Sequence, residues 1–285
     1  MIESFMLHCR AKNLAETTRA SYERVLLNVE QKTGKPLETL TRHDIEKFLA
    51  DSFDSDLSPA TVAKHYRTLQ QFYKWLVDIE EEVAINPIAK VPLPTVVVNP
   101  PDVITDDEIA GLLAVCRTLP RFESRRDNAI IRVLYDTGMR VGELTGLNVE
   151  DIDLHGQVIV IQRGKGGRRR VVAMLPETSQ AVDRYRRARE THKERAASEM
   201  WLGERGPLTN WGIRQILERR CQDAGIRHLN PHLFRHTFTH RLKTANVSDE
   251  NIMTAAGWTT TQMLHRYGRG AAEQRSQDAI RKALS

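Results

Sequence analysis

The sequence of 285 residues contains no apolar run that approaches the roughly 18 residues needed to cross a bilayer. Its first ten residues, MIESFMLHCR, lack the basic segment, apolar core and cleavage site of a secretory signal. Cysteine is scarce, and Cys9, Cys116 and Cys221 are far apart, odd in number and without metal-ligand spacing, which argues against a disulfide framework. Internal repeats and low-complexity segments are also absent from the sequence. We therefore expect a globular cytoplasmic protein without a membrane partner.

Charge is unevenly distributed along the chain. The first 100 residues carry 12 Lys and Arg against 14 Asp and Glu, whereas the whole chain carries 42 against 37. The positive excess therefore lies in the C-terminal part, as expected for a protein that contacts a polyanion. Many basic proteins bind no nucleic acid, so charge alone does not identify a partner.

The first 85 residues show the patterns of helices. Thr41 and Asp44 have the spacing of a capping box, and Ser58 followed by Pro59 begins the clearest helix. Apolar residues repeat along that helix at helical spacing, namely Val62, Tyr66, Leu69, Phe72, Tyr73 and Leu76. The opposite face carries Lys64, Arg67, Gln71 and Lys74. This face is either an ordinary solvated surface or one that follows DNA phosphates.

A proline-rich stretch at positions 86–105, NPIAKVPLPTVVVNPPDVIT, separates this helical part from the rest of the chain. It has five prolines and no helical period, which predicts an extended linker. We predict a helical domain over residues 1–88, a linker over 89–104 and a second domain over 105–285. Within the second domain, β-branched segments at 158–162 and 170–174 flank GKGG and predict a β-hairpin. Residues from 176 onwards are predicted to be helical with short loops.

Two stretches, one before this hairpin and one at its tip, contain cations that could bind an anion. TGMRVGEL places Arg140 at a helix start with Glu143 three residues later, a spacing that is also typical of a surface ion pair. RGKGGRRR, at the tip of the hairpin, contains five cations, namely Arg163, Lys165, Arg168, Arg169 and Arg170. Like charges at that density repel one another, so contact with phosphate is favoured over a solvated turn.

The third stretch, NPHLFRHTFTH at positions 230–240, begins with an N-cap and a helix-compatible proline. His232 and Arg235 lie on one face of this helix, at the end where the helix dipole is already positive, so an anion is expected there. His232, His236 and His240 also have the spacing of a helical metal site. No carboxylate lies between them, and no Cys or further carboxylate is close in sequence, so we favour a buried, hydrogen-bonded His236 and expect no metal.

The fourth stretch, GWTTTQMLHRYG, contains Trp258 and Tyr267. Tyr267 is flanked by arginines and glycines, which suits a hydroxyl that moves towards an anion, although it could also share an apolar helix face with Met263 and Leu264. Four other tyrosines are predicted in the cores, namely Tyr22, Tyr66, Tyr73 and Tyr135. Tyr185, within the charged segment DRYRRARE, is predicted to face solvent.

Together these stretches resemble the tyrosine recombinase or phage integrase family. TGMRVGEL is similar to the arginine box, Lys165 to the hairpin lysine and HLFR to the HxxR box. Gly257, Trp258 and, nine residues later, Tyr267 are similar to the last box. The resemblance covers essentially the whole chain and implies a mainly α fold. It implies an N-terminal core-binding, SAM-like domain of four to five helices and an α+β catalytic domain with a small β-sheet.

The resemblance also implies a reaction, namely DNA cleavage and rejoining without a metal, ATP or another cofactor. Tyr267 is expected to attack a phosphodiester and form a 3′-phosphotyrosyl link with a free 5′-OH. Arg140 and Arg235 are expected to stabilise the charge on the non-bridging oxygens, since the guanidinium fork fits phosphate bidentately. Lys165 is expected to protonate the leaving oxygen.

Supporting roles follow from the same resemblance. His232 is expected to accept a proton from Tyr267 or to orient it, Trp258 to donate its indole N–H and buttress the pocket, and Glu143 to hold the arginines from behind. The residues expected to contact DNA elsewhere are Lys64, Arg67, Lys74, Arg163, Arg168 and Arg169.

The family further implies partners and a biological setting. The partners are double-stranded core sites and a homotetramer on two duplexes, with strand exchange through a Holliday junction and a possible accessory directionality factor. A C-terminal helix could dock on a neighbouring copy or on its own domain through Ala279, Ile280, Ala283 and Leu284.

One feature departs from the common pattern of the family, since Trp258 replaces the commoner His. From the short N-terminus we also expect no separate arm-type domain of the kind found in larger integrases. We predict integration and excision of a phage or mobile element. A Xer-type chromosome-dimer resolvase, a catalytically silent DNA-binding regulator and a type IB topoisomerase remain as alternatives.

Overall fold

Two units make up the chain, Met1–Val98 and Asn99–Ser285, and each has its own hydrophobic core. The computed structural model describes residues 1–55, 57–80, 83, 85–95, 102–162, 169–258, 260–261, 264 and 280–281. Among the helices in these ranges, none combines the length and the hydrophobicity that a membrane span requires.

The first unit is helical. Its helices are α1 (Ile2–Ala11), α2 (Glu16–Thr33), α3 (Arg42–Asp54) and α4 (Pro59–Asp78), with a short 3-10 helix at Leu37–Thr39. The predicted caps are confirmed. Thr41 and Asp44 form a reciprocal capping box at the start of α3, and Ser58 accepts from the backbone N–H of Thr61 with Pro59 at the first helical position.

The core of this unit is rich in aromatic rings. Phe5 meets Phe72 edge-on with ring centroids 5.4 Å apart, and it also contacts Trp75 at 5.2 Å. The Tyr73 hydroxyl donates to the carbonyl of Leu37 at 2.7 Å. The predicted apolar stripe of α4 is buried, and the opposite face, with its lysines and arginine, is exposed.

The predicted linker is partly packed against the two cores. Ile88 and Val91 lie in the core of the first unit, where the Tyr66 hydroxyl donates to the carbonyl of Val91 at 2.9 Å. Ile104 lies in the core of the second unit, and its N–H donates to Thr237 Oγ1 at 2.8 Å. Val91 and Ile104, both expected in the linker, therefore belong to the units on either side of it.

The second unit is α+β, as predicted. Its helices are α5 (Asp106–Cys116), α6 (Arg121–Thr137), α7 (Val141–Thr145), α8 (Pro176–Arg189), α9 (Asn210–Asp223), α10 (Pro231–Thr244) and α11 (Asp249–Ala256), with a 3-10 helix at Val149–Asp151. Thr105 and Glu108 form a capping box at α5, and Asn230 caps α10 by accepting from the N–H groups of His232 and Leu233.

Two small antiparallel sheets accompany these helices. The first contains β1 (Ile152–Asp153), β2 (Val158–Ile161) and β3 (Arg170–Ala173) in that order. The predicted hairpin is confirmed, with Ile161 paired to Arg170. The second sheet pairs β4 (Leu202–Gly203) with β5 (Gly206–Pro207), so the expectation of helices and short loops alone after residue 176 was wrong. Strands of two residues have too few positions to show alternation in the sequence.

The prediction for Tyr185 was also wrong. Tyr185 is fully buried, its hydroxyl donates to the carbonyl of Met200 at 3.1 Å and accepts from the N–H of Leu202 at 2.9 Å, and its ring stacks on Trp201. Burial raises the pKa of Tyr185 to about 12. The reason is a narrow apolar stripe on α8, which the charged neighbours conceal in the sequence: Ala181, Val182, Tyr185 and Ala188. Tyr66 and Tyr73 are buried as predicted, and Tyr22 and Tyr135 are half-buried.

Candidate active site

The site begins at the sharp turn between α6 and α7. Gly138 ends α6 in the left-handed conformation, with φ of 55°, and a Cβ there would lie 2.5 Å from the Phe238 ring. This turn places Arg140 at the N-cap of α7. The backbone N–H of Arg140 donates to Glu143 Oε2 and its Nη1 to Glu143 Oε1, both at 2.8 Å. The Arg140 side chain retains 29% exposure, so its guanidinium is accessible from solvent.

Glu143 is shared by two arginines. Arg170 Nη1 donates to Glu143 Oε1 at 2.9 Å, and Arg170 Nη2 donates to Oε2 at 2.6 Å. Burial tends to raise the pKa of Glu143, but the hydrogen bonds from Arg170 and Arg140 outweigh it and lower that pKa to about 2. Glu143 is therefore a carboxylate at neutral pH, with its negative charge between two guanidinium groups.

The environment of Arg170 differs from the one that the sequence pattern predicts. We expected it to contact phosphate with the other cations of the hairpin tip, yet its side chain is only 8% exposed and pairs with Glu143. A signal was present in the predicted strand. Arg170 and Val172 are two residues apart and so point to the same face of β3, and Val172 is buried.

Arg235, on α10, is the most deeply buried cation of the site, with 2% exposure. Its Nη1 donates to the carbonyl of Gly138 at 2.9 Å, and its Nη2 donates to the carbonyl of Ala256 at 2.6 Å. The guanidinium carbon also lies 5.2 Å from the centre of the Trp258 ring, a cation–π distance. One side chain thus connects the turn before Arg140 with the turn before Trp258.

The C-terminus of α11 is the second anchor of the site. Arg170 Nε donates to the carbonyl of Ala255 at 3.1 Å, beside the Ala256 carbonyl that Arg235 occupies. Cations are stabilised there because the last carbonyls of a helix carry partial negative charge. Gly257 then reverses the chain with φ of 63° and leads into Trp258, which is 8% exposed.

His232 lies at the exposed start of α10, where its backbone N–H donates to the capping Asn230 at 3.0 Å. Its ring meets the ring of His236 edge-on, with centroids 4.4 Å apart, and His236 is buried, as predicted. Within the ranges that the structure describes, no group of three His, Cys, Asp or Glu side chains is arranged to hold a metal ion.

Several predicted site residues lie outside the described residues, namely Arg163, Lys165, Arg168 and Tyr267. Arg169 is exposed at the base of the hairpin. Lys64, Arg67 and Lys74 are exposed on α4 of the first unit. The structure therefore brings together Arg140, Glu143, Arg235 and Trp258 through shared contacts.

This arrangement can bind and polarise an anion. Arg140, Arg170 and Arg235 carry three positive charges, and Glu143 compensates only one of them. The surplus lies beside an accessible guanidinium whose planar fork suits phosphate or carboxylate. Fixed donors of this kind need little reorganisation when negative charge develops on a substrate.

Comparison with known families and proteins identifies counterparts of both units. The family model described as "Phage integrase family" matches residues 102–274, and "Phage integrase, N-terminal SAM-like domain" matches residues 1–82. The chain is 32% identical over 280 residues to the tyrosine recombinase XerD of Oceanobacillus iheyensis, covering 92% of each protein. It is 28% identical over 284 residues to the tyrosine recombinase XerC of Bacillus pumilus, covering 95% of this chain and 90% of that protein.

Solved structures share the fold. The Tn1549 transposon integrase in complex with transposon right end DNA has a TM-score of 0.77 at 20% identity, covering 100% of this chain and 99% of that one. XerH recombinase bound to palindromic difH substrate has a TM-score of 0.75 at 20% identity, covering 94% and 81%.

Proposed function

We propose that this chain, which belongs to the phage integrase family, is a site-specific tyrosine recombinase that cleaves DNA through Tyr267 and rejoins it to a new partner strand. The cleaved strand is held as a 3′-phosphotyrosyl ester, and the exchange passes through a Holliday junction. No metal or ATP takes part, since the energy of the broken phosphodiester is conserved in the tyrosyl ester.

One observation carries the proposal. The buried guanidinium of Arg235 donates both to Gly138, two residues before Arg140, and to Ala256, two residues before Trp258. Three separate stretches of sequence thereby converge on one cation, as a single phosphate site requires. A set of cations used only for solubility has no need of such a buried connection.

This geometry supports a separate role for each of the two arginines. Arg140 is the more accessible, and we assign it to the non-bridging oxygens of the scissile phosphate. Arg235, stacked on Trp258, supplies a second charge and fixes the turns that carry Arg140 and Trp258. Loss of one such preorganised donor typically costs about 3–4 kcal/mol of barrier.

The proton transfers are assigned by family resemblance. The Tyr267 oxygen forms a bond to phosphorus while the bond from phosphorus to the 5′-oxygen breaks. Lys165 gives a proton to that oxygen, and His232 accepts the proton of the phenol. Trp258 donates its indole N–H, a group that can only donate.

DNA is the partner of this reaction. We assign the exposed cations of α4, Lys64, Arg67 and Lys74, to the phosphates flanking the cleavage point, together with Arg163, Arg168 and Arg169 of the hairpin.

Recombination of two duplexes requires four active sites, so we further propose a homotetramer on DNA, assembled through the C-terminal segment, with an accessory factor to set direction. Such a protein would work in the cytoplasm, at the nucleoid.

The biological setting has two candidates. The sequence pattern favours integration and excision of a phage or mobile element. A Xer-type role in resolving chromosome dimers is favoured by one observation, the XerC and XerD relatives matched over most of their length. A short sequence duplicated on either side of the gene supports the first role, and chromosome multimers after deletion of the gene support the second.

A pool of random DNA sequences tests the reaction, because it lets the protein select its own target. Random duplexes that carry a nick are incubated with the protein, and those that become covalently attached are recovered and sequenced. The nick lets the 5′-OH fragment diffuse away, so the tyrosyl ester accumulates. We expect a protein–DNA band on a denaturing gel that Tyr267→Phe abolishes while binding in a gel shift remains.

Tyr135→Phe is the matched control, since the ring that Arg241 stacks on at 4.1 Å is retained, and the band should persist. A band that survives Tyr267→Phe would overturn the assignment of the nucleophile. Wild-type protein that binds DNA and never forms the band would favour the silent regulator. Excess EDTA should leave the band unchanged, and inhibition by EDTA would revive the histidine metal site.

A further inference from the structure

Arg170 has an unusual set of partners for a residue in a hairpin of cations. Among the residues that the structure describes, the hydrogen-bond acceptors of its side chain all lie at the edge of the candidate site: two bonds go to Glu143 and one to the carbonyl of Ala255. Its side chain is 8% exposed, so it is held among protein groups and is largely shielded from solvent. Arg170 therefore joins three elements, β3, α7 and the end of α11.

The contact between Arg170 and Glu143 also affects how tightly Glu143 holds the Arg140 side chain. Arg170 binds both carboxylate oxygens, whereas the Arg140 side chain binds only Oε1. Arg170 neutralises most of the charge of Glu143. Glu143 therefore orients the Arg140 guanidinium and leaves its other donors available.

Gly257 provides an independent sign that Arg170 is built into the site. A Cβ at Gly257 would lie 3.0 Å from Arg170 Nη1 and 3.2 Å from its Cδ. The turn that leads into Trp258 is thus packed directly against the Arg170 side chain. A surface arginine with only a solubilising role does not require such space to be kept for it.

The position of Arg170 in the sequence links these contacts to the proposed general acid. Arg170 is the first residue of β3 and follows Lys165 by five residues, and Ile161, its partner in β2, precedes Lys165 by four. Ile161 is buried in the core of the second unit. The base of the hairpin is therefore fixed on one strand by the core and on the other by Arg170.

We propose that Arg170 is a positioning residue for the cleavage reaction, which sets the hairpin that carries Lys165 in register with Glu143, Arg140 and the turn before Trp258. The inference rests on the proposed function, because it takes Lys165 as the group that protonates the leaving oxygen. Arg170 does not touch the substrate itself.

A sulfur leaving group tests this role. When the 5′-oxygen at the cleavage point is replaced by sulfur, the leaving thiolate, with a thiol pKa of about 8.5, needs no general acid. A general acid commonly contributes about 100-fold or more to a rate. On the oxygen substrate we expect Arg170→Met and Lys165→Ala each to slow covalent complex formation by at least about tenfold, and on the sulfur substrate both should recover most of the loss.

Arg126→Met is the control for a purely structural defect. Arg126 forms a buried ion pair with Asp127 on the same helix that leads to Gly138, about 18 Å from that glycine along α6. Its loss lowers the stability of the unit, so it should slow the oxygen and sulfur substrates by the same factor. Arg170→Lys keeps one charged contact to Glu143 and should fall between wild type and Arg170→Met in its ratio of sulfur to oxygen rates.

The outcomes separate this inference from the proposed function. Wild-type protein without a covalent complex on either substrate would refute the recombinase. A wild-type complex, with Arg170→Met slowed equally on both substrates or not slowed at all, would refute only the positioning role. Should Arg170→Met fail to fold, Arg170→Lys carries the same test, since its ratio of sulfur to oxygen rates must exceed that of wild type.

Discussion

The cations on α4 of the first unit differ in burial from a set of arginines in the second unit. On α4 of the first unit, Lys64, Arg67 and Lys74 are exposed, and none has an ion pair among the described residues. In the described part of the second unit, four arginines are buried, namely Arg126 at 7%, Arg189 at 3%, Arg220 at 9% and Arg235 at 2% exposure. The first arrangement suits the many weak contacts with DNA phosphates that we propose for it, and the second holds elements of the protein together.

This difference has an energetic consequence. An exposed cation contributes through screened attraction, so the loss of one removes only a small part of the total. A buried arginine that bridges two carbonyls leaves both of them unpaired when it is removed, and each costs about 1–3 kcal/mol. A single substitution of a buried arginine in the second unit should therefore have a large effect on stability or activity. Substitutions of the exposed cations on α4 should each have a small effect, and these effects should add.

Arg235→Lys should show the largest effect. Lysine keeps the charge but has no planar fork with which to reach both Gly138 and Ala256, so we expect cleavage to fall by about 1000-fold. Single-turnover formation of the covalent complex measures this. Arg67→Lys, the same exchange on exposed α4, should change the rate less than twofold, and equal effects at the two positions would refute the contrast.

Glu143→Gln should come next, with a loss of about 3 kcal/mol in the free energy of unfolding, because a buried pair loses one of its charges. Urea denaturation at neutral pH measures the loss. The matching exchange in the first unit is Glu46→Gln, which breaks the exposed pair with Arg42 and should cost less than about 1 kcal/mol.

The pH dependence of this effect follows from the depressed pKa. Glu143 titrates at about 2 when folded and near 4.5 when unfolded, so its contribution is complete above pH 4.5 and is lost as the pH falls towards 2. The difference in stability between wild type and Glu143→Gln should therefore shrink across that window. A difference that is constant from pH 6 to pH 3 would contradict the ion pair.

Gly138→Ala and Gly34→Ala compare the cost of an added Cβ at one left-handed glycine in each unit. Both glycines have positive φ, 55° and 66°, so each alanine should cost about 1 kcal/mol in backbone strain. At Gly138 the added Cβ also meets the Phe238 ring at 2.5 Å, whereas nothing lies within 4 Å at Gly34. Urea denaturation should show that Gly138→Ala lowers the free energy of unfolding by at least about 2 kcal/mol in total. Equal losses for the two variants would mean that α10 shifts to accommodate the added Cβ at little cost.

The smallest effects should come from single alanine substitutions at Lys64, Arg67 and Lys74. Each should lower the slope of log affinity against log salt by about one, without changing the free energy of unfolding by more than about 0.5 kcal/mol. DNA binding measured over a series of salt concentrations tests this. Gln71→Ala, a neutral change on the same face, is the control, and a slope unchanged by all three substitutions would remove α4 from the DNA interface.

The parts of this structure that could be predicted are those that local sequence determines. Capping residues at Thr41, Ser58 and Asn230 fixed the starts of three helices, because a cap acts within three or four residues of itself. The Arg140–Glu143 pair was visible for the same reason, since the two residues are neighbours on one turn.

The parts that could not be predicted depend on contacts between distant segments. Arg170 and Glu143 are 27 residues apart, and Arg235 and Gly138 are 97 apart. Tyr185 was misplaced because its burial is set by Met200 and Trp201, which lie on a later segment. The amphipathic stripe of α8 was too narrow to be seen among its charged and polar neighbours, and only packing against the core reveals it.

The contacts of Arg227 indicate where the second unit can be joined to a different N-terminal domain in a chimera. Its guanidinium binds the carboxylates of Asp102 and Glu108 and also the carbonyl of Val103. Residues 102 to 104 are thus clamped to the second unit before its first helix begins. A chimera that takes the second unit from residue 105 onwards would lose the contacts of Arg227 with Asp102 and Val103 and the hydrogen bond from Ile104 to Thr237. A chimera joined before Asp102 would keep all of these contacts.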